Sequence, residues 1–257
     1  MSGARLAARQ LRYEQLAFWR NPPAAFFTFF FPLIFLVIFN LVFGNETIDV
    51  EGGTTKASTF FVAGISALSV VNGCFTGLAM ALAILRDEGV LKRVRGTPLP
   101  PWAYLAGRIG FNTLLSLVLI AIVVTVGALF YGVDVPTSTM PAFVVSVGVG
   151  AATFAALAFA VSGFVPNAEA APAVINGIVL PLLFISDVFI REDTAPGWLN
   201  DVAQFFPVVH LSSALQAAFN PFETGSGFRP WDLLAMAAWG VFGVVVALRY
   251  FSWEPRR

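Results

Sequence analysis

Six long apolar segments, separated by shorter polar connections, dominate this sequence. A helix needs about 20 mostly apolar residues to cross a bilayer, and these segments approach or exceed that length. They cover residues 26–43, 60–85, 105–131, 141–165, 173–190 and 232–251. The fifth contains Pro181, and proline inside a membrane helix favours a kink. The pattern predicts an all-α polytopic membrane protein in which residues 1–257 form a single transmembrane domain with six transmembrane helices.

The composition supports this class and excludes others. Hydrophobic residues make up 58% of the chain and charged residues 12%, whereas a soluble domain has about 25% charged residues. The formal net charge is zero, which argues against a nucleic-acid partner, because such proteins carry a basic stripe. Cys74 is the single cysteine, so neither an internal disulfide nor a cysteine metal cluster is expected.

The basic residues predict the orientation of the spans. Lys and Arg concentrate in alternate connections, which the positive-inside rule assigns to the cytoplasm. One set of segments holds Arg5, Arg9, Arg12, Arg20, Arg86, Lys92, Arg93, Arg95, Arg108, Arg249, Arg256 and Arg257; the other holds only Lys56, Arg191 and Arg229. Both termini are therefore expected in the cytoplasm.

Residues 1–22 precede the first span and are predicted to form a cytoplasmic helix on the membrane surface. Arg5, Arg9 and Arg12 are spaced so that they share one helical face, while apolar side chains lie toward the other. This arrangement is typical of an interfacial helix. The simpler alternative is a basic anchor that only fixes orientation.

Residues 194–219, between the fifth and sixth spans, predict an external helical hairpin. Apolar and aromatic residues recur at helical spacing on both sides of a proline, and each piece is about half a span long. Both pieces are expected to lie at the outer face or to dip into it. The principal residues are Trp198, Phe205, Phe206, Pro207 and His210.

The sequence lacks the residues of an ATP site or a hydrolase. Neither lysine follows a glycine, as a phosphate-binding loop requires, and H-E-x-x-H and G-x-S-x-G are absent. His210 is the only histidine, and a zinc site needs three or four donors, so a helix-end hydrogen bond is its expected role and no metal is expected. If ATP drives the protein, another subunit must bind it.

Polar side chains inside the apolar segments are candidates for a substrate pathway. They are Asn72, Asn112 and Asn176, with Asp187 near the outer end of the fifth segment. An ionisable residue inside a membrane is a functional candidate. The alternative is structural, since uncharged polar residues often join helices by hydrogen bonds and a carboxylate at a helix end can simply face water.

Residues 86–104 form the most distinctive internal connection. Two acidic residues precede a short basic and apolar turn, which Gly96 and Pro98 end. This pattern predicts a short charged helix just beneath the membrane, suited to docking a soluble partner. The candidate coupling residues are Asp87, Glu88, Gly89, Leu91, Arg93, Thr97 and Pro98.

Three sequence patterns resemble one family, the permease subunits of type-2 ABC exporters, which include the daunorubicin-resistance and polysaccharide-export permeases. The loop Glu88-Gly89-x-Leu91-x-Arg93-x-x-x-Thr97-Pro98-Leu99, with Tyr104 and Gly107-Arg108, is similar to the family's cytoplasmic signature. Pro181 to Ser186, Phe189, Pro196 to Leu199, Phe206-Pro207, His210 and Ala214-Leu215 are similar to its fifth span and hairpin, and Pro32 to Gly44 to its first span.

The resemblance covers essentially the whole chain, with two departures. Asp187 stands where the family usually has glycine, and Gln216 stands where it often has arginine. Both lie in the outer region of the predicted topology. They therefore affect what can be inferred about the substrate, whereas the family assignment rests on other residues.

The resemblance implies partners and a mechanism. Two permease copies, identical or related, would form a twelve-span core in a bacterial inner membrane, with two ABC ATPase subunits docked beneath it. ATP and Mg would bind those ATPases, and this chain would hold no cofactor. Residues 1–22 and 86–104 would be the docking surfaces, and 194–219 would line or gate the exit. The implied substrate is a hydrophobic or amphiphilic drug, lipid or lipid-linked compound moved outward.

Two alternatives stay open. An ion-coupled secondary carrier would typically show inverted repeats or buried acids, which are not evident here. A membrane anchor or sensor subunit built on the same fold would share every sequence feature, so only a transport measurement separates it from a permease. ATPase co-purification separates the permease from the carrier.

Overall fold

The computed structural model describes residues 3–43, 46–50, 52–186 and 197–254. These residues are mostly helical. In chain order the elements are α1 (Gly3–Trp19), α2 (Pro22–Phe43), β1 (Thr47–Val50), β2 (Gly53–Lys56), α3 (Ala57–Val70), a π-helical segment (Val71–Gly77), α4 (Leu78–Asp87), α5 (Val90–Arg95), α6 (Pro101–Tyr131), α7 (Met140–Ser162), α8 (Ala171–Ile185), α9 (Gly197–Ala203), α10 (Pro207–Phe219) and α11 (Pro230–Tyr250).

Among the described residues, five helical stretches are long and apolar enough to cross a membrane. They are Pro22–Phe43, Ala57–Asp87, Pro101–Tyr131, Met140–Ser162 and Pro230–Tyr250. These correspond to the predicted spans 26–43, 60–85, 105–131, 141–165 and 232–251, with shifted ends. Helices α9 and α10 are bent by 98° relative to each other, and the count reaches six if this pair is one broken span. The chain is a helical multi-pass membrane protein, as predicted.

The predicted fifth span, 173–190, corresponds to a shorter helix. Helix α8 has 15 residues, fewer than the roughly 20 that a perpendicular span needs. It ends because Ser186 has extended backbone dihedrals, with φ −90° and ψ 158°. Residues 187–190 of the predicted span, including Asp187, lie outside the described residues. A complete fifth span is therefore not seen in the part of the chain that the structure describes.

Two other predicted boundaries also differ. Residues 101–104 belong to α6 and not to the internal loop, because Pro101 occupies the first helical turn, where its fixed φ is compatible with a helix. Helix α7 ends at Ser162, so Phe164 and Val165, predicted to lie in the fourth span, belong to the next connection.

A small antiparallel hairpin of β1 and β2, which the sequence reading did not predict, joins α2 to α3. Its register runs from Thr47 opposite Lys56 to Val50 opposite Gly53. Gly52 at the turn has φ +97°, a conformation that side chains rarely adopt. The ring of Phe222 covers the turn so closely that a Cβ on Gly53 would lie 2.8 Å from its Cζ.

Helix α3 forms the centre of the fold. Nearly all its residues are buried, and it packs against α2, α6 and α10. Small residues allow this close approach. The buried hydroxyls of Ser66 and Ser69 donate hydrogen bonds to the carbonyls of Val62 (2.7 Å) and Ile65 (2.8 Å) one turn earlier, which satisfies polar groups that would otherwise be costly to bury.

The π-helical segment interrupts the long helix 57–87 where α6 packs against it. Ser116 of α6 donates a hydrogen bond to the carbonyl of Ser69 (3.3 Å), and its Oγ lies 3.6 Å from Sγ of Cys74. Gly73 faces the same hydroxyl so closely that a Cβ there would overlap it. Single π-helical turns often occur at functional sites.

Contacts between helix ends define the two ends of the bundle. Arg86 of α4 donates from Nη1 to the carbonyl of Ser162 (2.6 Å). At the other end, a Cβ on Gly132 would lie 2.9 Å from Nζ of Lys56. We call the end that contains α1, α5 and residues 163–170 the basic end. The basic end holds every described Lys and Arg except Lys56 and Arg229. We call the end of the bundle that contains Lys56 and Gly132 the opposite end.

Candidate functional site

The predicted internal loop folds into the short helix α5 at the basic end. Gly89 precedes this helix with φ +70°, which reverses the chain direction after α4 in a conformation that favours glycine. Leu91 is fully buried and anchors α5, which packs on α4. Glu88 and Arg93 are exposed on either side of that anchor. Helix α5 therefore has one buried face and one exposed basic face, and an exposed acidic residue precedes it.

Hydrogen bonds attach the end of α4 to residues 163–170, which connect α7 to α8. The buried guanidinium of Arg86 donates to the carbonyls of Ser162 and Val165. Asp87 accepts a hydrogen bond from the backbone N–H of Ala168 through Oδ2 (3.1 Å). Hydrogen bonds to charged groups are the stronger ones in proteins, so this network holds the two connections together.

Thr97 and Pro98 form the turn that ends α5. The Thr97 hydroxyl donates to the carbonyl of Val94 (2.7 Å) and accepts from the N–H of Leu99 (3.3 Å). Such local bonds compete with helix continuation, and Pro98 follows directly. Both residues are exposed. Of the predicted coupling residues, Leu91, Asp87, Gly89, Thr97 and Pro98 thus shape or anchor the loop, while Glu88 and Arg93 lie on its surface.

Helix α1 presents the three predicted arginines to its surroundings and binds α6 with its other side. Arg5, Arg9 and Arg12 are all exposed. On the side that faces α6, a Cβ on Gly107 would lie 2.6 Å from Cβ of Gln10, so glycine is needed for the close approach of the two helices.

A buried ion pair at this interface was missed in the sequence reading. Arg108 Nε lies 3.2 Å from Oε1 of Glu14, with side-chain exposures of 13% and 10%. Gln10 donates to the same carboxylate oxygen (2.7 Å), and Arg108 also donates to the Tyr104 hydroxyl (3.0 Å). Glu14 is the only acidic residue among the first 45, and that isolation is the signal that could have identified it.

The five residues of the predicted external hairpin separate into two environments. Trp198 on α9 and Phe205 after it are exposed. Pro207 begins α10, which is buried along most of its length and packs against α3, α7 and α11. This second piece lies inside the bundle, because its apolar residues pack against three helices. The placement of the hairpin on the external side stays a prediction. Phe206 stacks on Trp239 of α11, with ring centroids 6.3 Å apart.

His210 forms a hydrogen bond with a residue that the sequence reading did not single out. Its Nδ1 lies 2.8 Å from Oδ1 of Asp232 in the first turn of α11. Among the described residues no group of three or more His, Cys, Asp or Glu side chains could hold a metal ion. The contact therefore joins α10 to α11 as a polar pair.

The candidate pathway residues lie on three different elements of the described part of the chain. Asn112 donates to the carbonyl of Arg108 (3.0 Å) on its own helix and faces Gly77. Asn72 lies in the π-helical segment and Asn176 on α8, and no described hydrogen bond joins the three side chains. Asp187 lies outside the described residues. Their role in a pathway stays a prediction.

An apolar cavity of about 340 Å³ lies beside the bend between α9 and α10. The π-helical segment, α7, α8, α10 and α11 contribute to its walls, which include Phe75, Phe154, Phe206, Pro207 and Trp239. Apolar lining of this kind suits a hydrophobic ligand.

Comparisons with known proteins agree with these features. The model of the ABC-2 type transporter family matches residues 8–220. The chain is 30% identical over 192 residues to the daunorubicin resistance ABC transporter permease protein DrrB1 of Streptomyces coeruleorubidus. The aligned region covers 71% of this chain and 64% of that protein. It is also 25% identical over 241 residues to ycf38 of Porphyra purpurea, which is named as a putative transport permease. That alignment covers 92% of this chain and 80% of ycf38.

The chain spans less than two thirds of the length of the first of these relatives. The family match nevertheless includes most of α1, the internal loop, the π-helical segment and the bent pair α9–α10. This match confirms the family that the internal loop and the fifth apolar segment indicated. The chain belongs to the ABC-2 type transporter family of membrane proteins.

Proposed function

We propose that the chain is the membrane subunit of an ATP-driven exporter, energised by separate ABC ATPase subunits. The observation that carries this proposal is the internal loop around helix α5. Leu91 fixes α5 to the bundle, while Arg93 on α5 and Glu88 just before it are exposed. The sequence given has no phosphate-binding loop, so ATP would act through a partner, and such a surface is suited to docking one. The basic end would face the cytoplasm.

The hydrogen bonds at the basic end suggest how force would pass from the ATPase to the bundle. A partner that moves α5 also moves α4, because Leu91 is buried against the bundle. Arg86 and Asp87 transfer the same displacement to residues 162–168 and hence to α7 and α8. Coupling between two sites requires an element with two arrangements, and this connected group of helix ends would be that element.

The substrate would be a hydrophobic or amphiphilic compound, such as a drug, a lipid or a lipid-linked molecule. The support is the apolar cavity beside Phe206 and Pro207, at the bend of the α9–α10 pair. Movement of this bend would open or close the cavity, so the pair would gate the exit. The relative DrrB1 is named for daunorubicin resistance, which is compatible with such a substrate.

The active assembly would contain two permease copies, identical or related, and two ATPases in a bacterial inner membrane. Residues 1–22 and 86–104 would contact the ATPases. The exposed residues Arg5, Arg9 and Arg12 on α1 would bind the ATPase or the anionic lipid surface.

Purification of the tagged full chain from its native membranes tests the proposal. An ATPase that co-purifies with the wild type, with hydrolysis stimulated by the permease, is the expected result. Glu88→Lys should weaken co-purification or stimulation, whereas Asp134→Lys, which reverses an exposed charge at the opposite end, should not. Recovery of a folded chain without any ATPase would instead favour the carrier or anchor alternatives.

A further inference from the structure

A second cleft, distinct from the apolar cavity, lies between α10 and α11 and has a different chemistry. Its volume is about 390 Å³. It is lined by Phe205, Trp231 and Trp239, which are aromatic, and by the polar residues His210, Ser213 and Asp232. Among the residues that the structure describes, no Lys or Arg lines this cleft. A carboxylate surrounded by aromatic side chains is the pattern that recognises an organic cation.

The charge in the cleft comes from Asp232. Its Oδ1 lies 2.8 Å from His210 Nδ1, and a carboxylate can only accept hydrogen bonds, so Nδ1 carries the proton. The Ser213 hydroxyl, which lines the same cleft, can accept a hydrogen bond from a ligand N–H group.

Helix stability alone does not explain this arrangement. An aspartate in the first turn of a helix stabilises it through the helix dipole, but that effect does not require a histidine partner on another helix. Both side chains of the pair are mostly buried, at 10% and 16% exposure. Burying charged groups is expensive, and it occurs here next to Trp231, a residue that is 76% exposed.

The aromatic part of the cleft is held in place by specific contacts. Trp239 donates from Nε1 to the carbonyl of Phe205 (2.9 Å), and the two rings meet edge to face with centroids 5.4 Å apart. The contact joins α11 to the junction between α9 and α10. A ligand in the cleft would therefore touch the bend of the α9–α10 pair.

We propose that this cleft binds an alkylammonium group, with Asp232 as the counter-ion and Trp231 and Trp239 as the aromatic faces. The group could belong to an amphiphilic amine that is transported or to the headgroup of an aminophospholipid in the bilayer. Binding itself does not depend on the proposed ATPase partner.

The test compares two probes of equal size, 2-phenylethylammonium and neutral 2-phenylethanol, on the purified full chain in a maltoside detergent. Ligand-observed NMR gives both affinities. The ammonium should bind at least tenfold more tightly. Asp232→Asn keeps the shape of the side chain and an acceptor for His210, and it should remove the difference. Asp201→Asn, an exposed carboxylate on α9 that does not line the cleft, should leave it unchanged.

Equal binding of the two probes by the wild type, or an unchanged ratio in Asp232→Asn, would overturn the proposal. If Asp232→Asn does not fold, Trp231→Ala serves instead, because this exposed side chain is not needed for packing. It should weaken ammonium binding at least threefold, and unchanged binding would again refute the site.

The source of the ammonium group is decided in lipid nanodiscs. With phosphatidylglycerol alone, the probe should bind as in detergent. If added phosphatidylethanolamine weakens probe binding, the headgroup occupies the cleft; if it does not, the site is available to a transported amine. A chain that binds the probe but recruits no ATPase would retain the cleft assignment and refute only the exporter function.

Discussion

Arg108 of α6 and Glu14 of α1 form a buried ion pair, with Nε and Oε1 separated by 3.2 Å. The pair joins the N-terminal helix to the first turns of the long helix that follows the internal loop. Helix α1 is therefore a packed part of the bundle as well as a basic surface helix. Its exposed arginines are held in a fixed position relative to α6.

Removal of one partner of this pair should destabilise the protein strongly. Glu14→Gln leaves the Arg108 charge buried, which costs about 3 to 5 kcal/mol when a buried pair is broken. The matched control is the exposed pair of Lys92 and Glu254, at 3.9 Å and with exposures of 63% and 61%. Lys92→Gln should cost about 0 to 1 kcal/mol. Thermal unfolding in detergent measures the loss of stability in both variants. Equal decreases in melting temperature would contradict the structural role of Glu14.

Gly89→Ala should strain the loop without any steric overlap. No atom lies within 4 Å of a Cβ at this position, but φ is +70°, and the left-handed region costs about 1 to 2 kcal/mol for a residue with a side chain. Gly148→Ala is the control, since it also has open space but lies inside helix α7, where alanine is favoured by about 0.5 to 1 kcal/mol. Melting temperatures should therefore change in opposite directions.

Gly73→Ala should disturb the contact between the π-helical segment and α6. A Cβ on Gly73 would overlap Ser116 Oγ, and overpacking typically costs about 1 to 3 kcal/mol. Ser116→Ala removes that oxygen, so the double variant should recover much of the stability that Gly73→Ala loses. Additive losses in the double-mutant cycle would show that the two residues do not interact.

Cysteine labelling should show which end of the bundle faces the cytoplasm. Cys74 is fully buried, and Cys74→Ala supplies a background without reactive thiols. In sealed cells, an impermeant maleimide should label Lys56→Cys but not Arg93→Cys, because basic connections stay inside. Labelling of position 93 from outside would reverse the topology.

The elements with long apolar repeats could be predicted from the sequence, and those set by tertiary contacts could not. The spans near 26–43 and 141–165 were located because a continuous apolar run is itself the requirement for crossing a bilayer. Helix α5 was located from Gly96 and Pro98, which are local signals. The β1–β2 hairpin was missed because its turn is covered by Phe222, about 170 residues later in the chain.

The candidate sites show the same limit. The charges of Glu88 and Arg93 were evident from the loop sequence, but the attachment of Arg86 to Ser162 and Val165 depends on how α4 meets α7. His210 was expected to form a hydrogen bond at a helix end, and its partner Asp232 lies on another helix. No spacing rule connects residues that come together only through helix packing.

The π-helical segment sets the rotational phase between the two halves of the helix that spans Ala57–Asp87. Each residue of an α-helix turns the chain by about 100°, and a π-helical turn contains one residue more than an α-helical turn. Without that extra residue, Arg86 and Asp87 would point about 100° away from the 163–170 connection. The attachment of residues 86–87 to the 163–170 connection thus depends on one extra residue about three turns earlier in the helix.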